Sequence, residues 1–423
     1  MPFTISLTTL KECGEKRTRK TIILVMKNTP ANLLNEISEK SITPLWQKLR
    51  EIDSPFYFSL CLTYRKSLLT FRVFPVILSV FQREQKGGNY MAKQKLLLTF
   101  DTETCTIPVP ESWNLTSNEK KKICIARPLI YDIGWTISSR SAGIIEKKNY
   151  LIAETFSVPS VFNTAYYKEK RPIYLDMINN GELTVHCWRE VMEIFLADCE
   201  QADLICAFNE QFDLRAINFT ELYINKLYSP NYQSWYENQV ALCWKIAHQP
   251  YKKENDKDFD PLHFTFRNKQ YKVMDIWGLA CENIINTPTY KRACLEHSLI
   301  SPSGMYFSTN AENVRRFIYK EYGFIEEHTA LSDAEIETEI LLKALKRGKK
   351  VEGIEFFPFR KLGYVSDFIA SDNRITPAMA QNALDILNAY IDQHCDQQTP
   401  YLSQVINHSA RIEKRRDSLL WDE

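Results

Sequence analysis

Leu96-Leu97-Leu98-Thr99-Phe100-Asp101-Thr102-Glu103-Thr104 is an apolar run of strand length that ends in two carboxylates. Side chains two apart at a strand end leave the same face, so Asp101 and Glu103 point together. Two carboxylates so placed repel each other unless a cation sits between them. The pair therefore suits a hard divalent metal with oxygen ligands, Mg²⁺ or Mn²⁺. A lone D-x-E after an apolar run is common by chance. Two later segments, Phe208-Asn209-Glu210-Gln211-Phe212-Asp213 and His328-Thr329-Ala330-Leu331-Ser332-Asp333, turn it into an ordered set.

Working outward, Asp203–Phe208 reads as a second buried strand and Leu214–Leu227 as the helix that follows it. Asp213 lies at that junction, which returns a carboxylate over the C-terminal ends of the strands, where open sheets place their sites. Asn209 is expected to hydrogen-bond the loop or a substrate, and Phe212 to anchor the turn. Taken alone, Asp213 is an ordinary helix-start residue favoured by the dipole. In the third segment, Ser332 and Glu335 form an S-x-x-E capping box, which makes Ser332 the expected N-cap and puts Asp333 in the first turn. Ala334–Leu345 continues with Ile336, Ile340, Leu341 and Leu345 on one helical face. His328, on the loop feeding this helix, can take a proton from an attacking water, since its ordinary pKa is already near neutral. Four carboxylates can hold two cations about 4 Å apart and support in-line hydrolysis of a phosphodiester.

The remaining pattern gives the fold class. Leu129–Ser138 and Ile144–Phe156 alternate as two strands joined by the turn at 139–143, Trp188–Asp198 is helical, and Tyr271–Asp275 is a strand before a helix at Trp277–Ile285. Three antiparallel strands followed by strand–helix alternation predict an α/β protein with a mixed sheet and helices on both faces. The stretches 104–128 and 228–270 interrupt the pattern and read as insertions, the first of them a polar loop. The first carries Pro108, Pro110 and Lys120–Lys122. The second carries aromatics expected to pack onto the body and a solvated charge run, Lys252–Asp258. A further helix starts at Thr376-Pro377 and reaches about Tyr390, and the tail ends in the basic stretch Arg411–Arg416. The expected domains are an extension over 1–90, the catalytic body over 91–347, and a partly helical extension over 348–423.

Bulk composition narrows the function classes. The chain has 423 residues, 44% hydrophobic and 25% charged, with a formal net charge of +1. That figure hides a split: residues 1–90 carry 14 Lys and Arg against 7 Asp and Glu, and the rest carry 39 against 45. A body of net −6 does not hold nucleic acid by broad phosphate neutralisation, so metal ions and a local basic strip must supply the attraction. The 11 cysteines form no C-x-x-C pair, which suits reduced thiols in a cytoplasmic protein. The apolar run 73–81 is too short to span a bilayer, and no membrane association is expected.

Residues 1–90 have their own texture, with one modest amphipathic stretch over 32–52 and the junction Lys86-Gly87-Gly88-Asn89-Tyr90-Met91. Lys-Gly-Gly back-translates to a purine-rich string a few codons before a Met, as a bacterial ribosome-binding site would. One reading starts the functional protein at Met91; the other keeps a genuine extension with Gly-Gly as a flexible linker.

The three segments together resemble the motifs of the DEDDh exonucleases, the proofreading-subunit superfamily with a ribonuclease H-like fold. D-x-E, N-x-x-F-D and H-x-x-x-x-D follow in the family's order over about residues 95–345. Tyr131-Asp132-Ile133-Gly134-Trp135 is similar to the family's second strand, with its Ile-Gly pair. The resemblance implies 3′→5′ hydrolysis of single-stranded DNA by two divalent metal ions, with Asp101, Glu103, Asp213 and Asp333 as ligands and His328 as general base. It assigns Thr104, Asn209 and Phe212 to the substrate. A polymerase or other replisome partner, and a bacteriophage or bacterial replication role, would fit. The chain departs from the family where Cys105 replaces the usual Gly and Phe208 a frequent His. An exoribonuclease acting on short RNA or tRNA ends shares every one of these carboxylates. A catalytically silent module that binds nucleic acid or a polymerase would have no need of them.

Overall fold

The computed structural model describes residues 60–64, 67–71, 94–249, 263–346, 361–396 and 399–421. The chain divides into two units, Met1–Ala92 and Lys93–Glu423. In the first, strands β1 (Leu60–Tyr64) and β2 (Ser67–Phe71) pair as an antiparallel hairpin. The amphipathic stretch 32–52, the apolar run 73–81, the Gly-Gly junction, the charge run 252–258 and the basic residues Arg347, Lys349 and Lys350 lie outside the described residues.

The second unit is built on one mixed sheet in the order β6-β5-β4-β3-β7-β9-β8. Its central strands are β3 (Leu97–Thr106), β4 (Pro128–Ser139) and β5 (Gly143–Ile152), antiparallel in sequence. β6 (Thr184–His186) adds parallel to β5. On the other side β7 (Leu204–Ala207) and β9 (Lys269–Asp275) run parallel to β3, and β8 (His263–Phe266) closes that edge as a hairpin with β9. The expected mixed α/β sheet is therefore present, with two extra edge strands.

Alternation along β3 separates two cores. Leu98 and Phe100 join a cluster with Tyr174 of α2 (Arg171–Asn179) and with α3 (Trp188–Gln201) and α4 (Glu210–Leu227), where Phe100, Trp135 and Phe195 meet edge to face. Such aromatic contacts add about 0.5–1.5 kcal/mol each beyond area burial. Leu97 joins the opposite cluster with α6 (Ile276–Ala280), α7 (Pro288–Glu296), α8 (Ala311–Tyr319) and α9 (Ala330–Lys346). The same cluster takes Val365 and Ile369 from α10 (Val365–Ser371), Ala380, Ala383, Leu384 and Leu387 from α11 (Pro377–His394), and Val405 and Ile412 from α12 (Pro400–Trp421). The C-terminal extension thus elaborates the main core.

Both interruptions contain helices, which corrects the loop reading of the first. Lys120–Lys122 lie on α1 (Ser117–Ala126), opened by a reciprocal capping box between Thr116 and Glu119. The stretch after 228 forms α5 (Tyr232–His248). Tyr232, Trp235, Tyr236 and Val240 fall on one face at helical spacing and pack against the α3/α4 core. Cys243 and Ala247 continue that helix onto Ile123 of α1. Among the described residues, no helix is long and apolar enough to cross a membrane.

Gly134 fixes the approach of α9 to β4. A Cβ there would meet Leu331 N at 2.3 Å and Ala330 C at 2.5 Å, both backbone atoms that cannot rotate away. Gly134→Ala is expected to lower the unfolding free energy by about 3 kcal/mol, the upper range for overpacking. A urea melt within about 0.5 kcal/mol of wild type would show that the helix shifts freely.

A candidate metal centre

β7 pairs with β3 only through Thr99, so beyond that residue the edge of β3 is open toward the first turn of α4. Thr102 points to the α4 side, and its Oγ1 donates to Asp213 Oδ1 at 2.6 Å. Asp101 and Glu103 point to the α9 side. Oxygen or nitrogen atoms of Glu103, His328 and Asp333 all lie within 4.8 Å of one another. Asp101 sits among Asp213, Glu337, Asp333 and Glu103, in electrostatic contact with all four. The five residues expected from sequence to carry chemistry thus come to one edge of the sheet, from β3, α4 and the entry to α9.

The entry to α9 differs from the expected S-x-x-E start. The helix begins at Ala330, and the capping box is Thr329 with Ser332: Ser332 N–H donates to Thr329 Oγ1 at 3.4 Å, and Thr329 N–H to Ser332 Oγ at 3.3 Å. Ser332 Oγ donates to Asp333 Oδ1 at 3.0 Å, fixing that carboxylate in the first turn. Thr329 supplies the cap because Asp132, fully buried in β4, accepts from Ala330 N–H at 3.0 Å and so begins the helix there. Asp132 also accepts from Asn149 Nδ2 at 2.5 Å and Tyr174 OH at 3.0 Å. His328 stands just before this cap with φ +52°, and its Nδ1 is 3.5 Å from Glu326 and 3.7 Å from Asp333.

The substrate-facing residues divide. Asn209 is exposed at φ +61°, makes no side-chain cap, and gives its backbone N–H to Asp275 Oδ1 at 3.0 Å. The turn is anchored by Phe208, packed on the α6/α9 core, whereas Phe212 belongs to neither cluster, contrary to expectation. The reason is register: Phe208 directly follows β7 over the core, while Phe212 lies on the half-exposed side of the first turn of α4. Thr104 follows a register shift in the β3–β4 pairing at Glu103/Thr104.

Electrostatics show a site short of positive charge. Burial first, then Asp213, raises Asp101 well above the usual carboxylate range. Burial and Asp333 do the same to Glu103, and Lys170 partly opposes them. Burial pushes Asp213 up to about 7 despite its bonds to Thr102. Asp333, then Glu326, raises the His328 imidazole. Two carboxylates that are not among the motif positions belong here. Glu337, one turn after Asp333 and buried, accepts from Phe208 N–H at 3.2 Å and is raised well above its usual range. Glu326 is pushed up to about 7 by burial and Asp333. The i+4 spacing from Asp333 was the available signal for Glu337. Behind them Glu210 bonds to Asp275 and is pushed up to about 9 by burial and that neighbour.

Converging hard oxygen donors that resist ionisation in the absence of a cation fit a divalent metal, because binding one relieves both burial and mutual repulsion. Two cavities, of about 370 and 330 Å³, are lined by none of these residues. No protein-family model matches the chain, and no curated protein matches it.

Proposed function

We propose that the protein is a divalent-metal-dependent 3′→5′ exonuclease of ribonuclease H-like architecture, acting on single-stranded DNA ends. The convergence of Asp101, Glu103, Asp213 and Asp333 with His328 at one sheet edge carries this reading. The strand arrangement supports it: a β3–β4–β5 meander followed by parallel β7 and β9 puts the first motif on the central strand. Direction and preference for DNA rest on the resemblance of the three motifs alone, as do a replication partner and a cytoplasmic setting.

Glu103 and Asp333, with Asp101 and Asp213, would hold two Mg²⁺ or Mn²⁺ ions. When bound, these would neutralise the scissile phosphate and ease loss of a proton from water. The chain's own part is positional and acid–base. His328 accepts the proton of the water that attacks phosphorus, and the Asp333 and Glu326 carboxylates stabilise the resulting imidazolium. The P–O3′ bond breaks, and the leaving oxygen takes a proton from solvent as the nucleoside monophosphate departs. Thr102 keeps Asp213 aimed at the shared edge, and the Thr329–Ser332 cap keeps Asp333 there.

The full chain, incubated with internally labelled single-stranded DNA or RNA in Mg²⁺ or EDTA, is expected to shorten DNA from the 3′ end in Mg²⁺ only. Shortening of RNA alone would establish the exoribonuclease instead. Metal-dependent shortening of neither would defeat the enzyme reading and leave a binding module.

A further inference from the structure

Tyr167 caps and Lys170 ends the helical turn Lys168–Lys170, far upstream of His328, yet both lie against the histidine loop. The Tyr167 ring is stacked on the imidazole, with centroids 4.6 Å apart and planes inclined by 14°. Lys170 Nζ lies 4.7 Å from the centre of the Tyr167 ring. It donates to the carbonyl of Glu327 and, at 3.5 Å, to that of His328. On the far side of His328 the chain is tied again, where Ala330 N–H meets Asp132. Between these ties His328 adopts the left-handed backbone region that residues other than glycine disfavour. Such a conformation persists only where its surroundings impose it.

We propose that Tyr167 and Lys170 form a positioning clamp for His328, which rests on the reading of His328 as the general base. Lys170 sets the backbone of the loop by its two carbonyl contacts, and Tyr167 sets the plane of the ring by stacking. The groups facing His328 are Glu326, Asp333 and Glu103 on the acidic side and Tyr167 and Lys170 on the other. His328 Nδ1 already faces Glu326 and Asp333, and the Tyr167 stack is what fixes the plane of the ring about that contact. Misplacement of a reacting group by about 1 Å is worth roughly a hundredfold in rate.

The test uses the full chain with a 3′-labelled oligonucleotide in Mg²⁺. Tyr167→Phe keeps the flat ring and is expected to retain kcat within about threefold, whereas Tyr167→Leu loses about tenfold to a hundredfold. KM and the Mg²⁺ concentration for half-maximal rate should stay unchanged in both. Lys170→Met, on a surface turn where the core is not at risk, should lower kcat in the same way. A Leu variant with wild-type kcat, an equal loss in Phe and Leu, or a loss confined to KM overturns the clamp.

A second readout does not depend on activity. Ring current from Tyr167 should hold the His328 Hε1 resonance, assigned by its disappearance in His328→Gln, to high field. It is expected to move downfield in Tyr167→Leu and to stay in Tyr167→Phe. A resonance unmoved in Tyr167→Leu overturns the clamp even if the wild-type chain degrades neither DNA nor RNA, an outcome that would separately defeat the nuclease reading.

Discussion

Asp213→Ala is expected to lower metal-dependent hydrolysis by about a thousandfold, the equivalent of about 4 kcal/mol of lost transition-state stabilisation. Asp213 lies outside the closest group of Glu103, His328 and Asp333, and it reaches the site from the opposite face of the sheet through Thr102. Asp213→Asn keeps an oxygen for Thr102 to donate to and removes only the charge. It should be as inactive as the alanine variant while folding at least as well. Burial that pushes Asp213 up to about 7 means that the ionised carboxylate opposes the metal-free fold at higher pH. Both variants should therefore melt no lower than wild type at pH 8 in EDTA. Steady-state rates and thermal melts check this pattern. Full activity in Asp213→Ala would remove Asp213 from the site.

The second large effect is a metal-free fold that weakens as pH rises. Asp132 is pushed up to about 6, Glu326 and Asp213 to about 7, and Glu210 to about 9, each chiefly by burial. In the unfolded chain these groups titrate near 4. Between those limits the folded state binds more protons than the unfolded one, so unfolding free energy falls with increasing pH. The stabilising contribution is complete below about pH 4 and is lost as pH climbs through about 6, 7 and 9. The raised His328 contributes with the same sign. Divalent cations should reverse the loss. At pH 8, Mg²⁺ or Mn²⁺ at about a hundredfold over its Kd is expected to raise Tm by about 5 °C. The same addition at pH 5 should do much less, because protons already occupy the carboxylates. Melting curves in EDTA and in metal across pH 5–8 measure both arms. A Tm in EDTA that rises over that range would contradict the reading of the buried carboxylates.

How much of this was legible in the chain varies with the range of the interaction concerned. The end of β3 was readable because a buried strand is a continuous apolar run and its last side chains alternate by a fixed rule. The core face of α9 was readable for the same kind of reason, with Ile336, Ile340 and Leu341 buried. The start of α9 is ambiguous in the sequence because two capping signals overlap. S-x-x-E at Ser332 and T-x-x-S at Thr329 are both chemically sound, and the choice between them is made by Asp132, 198 residues away. Phe208 and Phe212 are likewise indistinguishable by composition, and only the register of the turn sends the first into the core. The face of α5 was present in the spacing of Tyr232, Trp235, Tyr236 and Val240, hidden by the polar residues between them.

The sequence by itself marked the candidates for the proposed chemistry: Asp101, Glu103, Asp213 and Asp333 at element ends, and His328 on the loop before the last of them. Only the tertiary structure decided that Glu337 and Glu326 crowd the same centre, that Thr102 aims Asp213 across the sheet, and that Tyr167 and Lys170 hold the histidine loop. The physical reason is range. Periodicity and capping act within a few residues, whereas burial, ion pairing and ring stacking depend on which distant segments the packed sheet brings together.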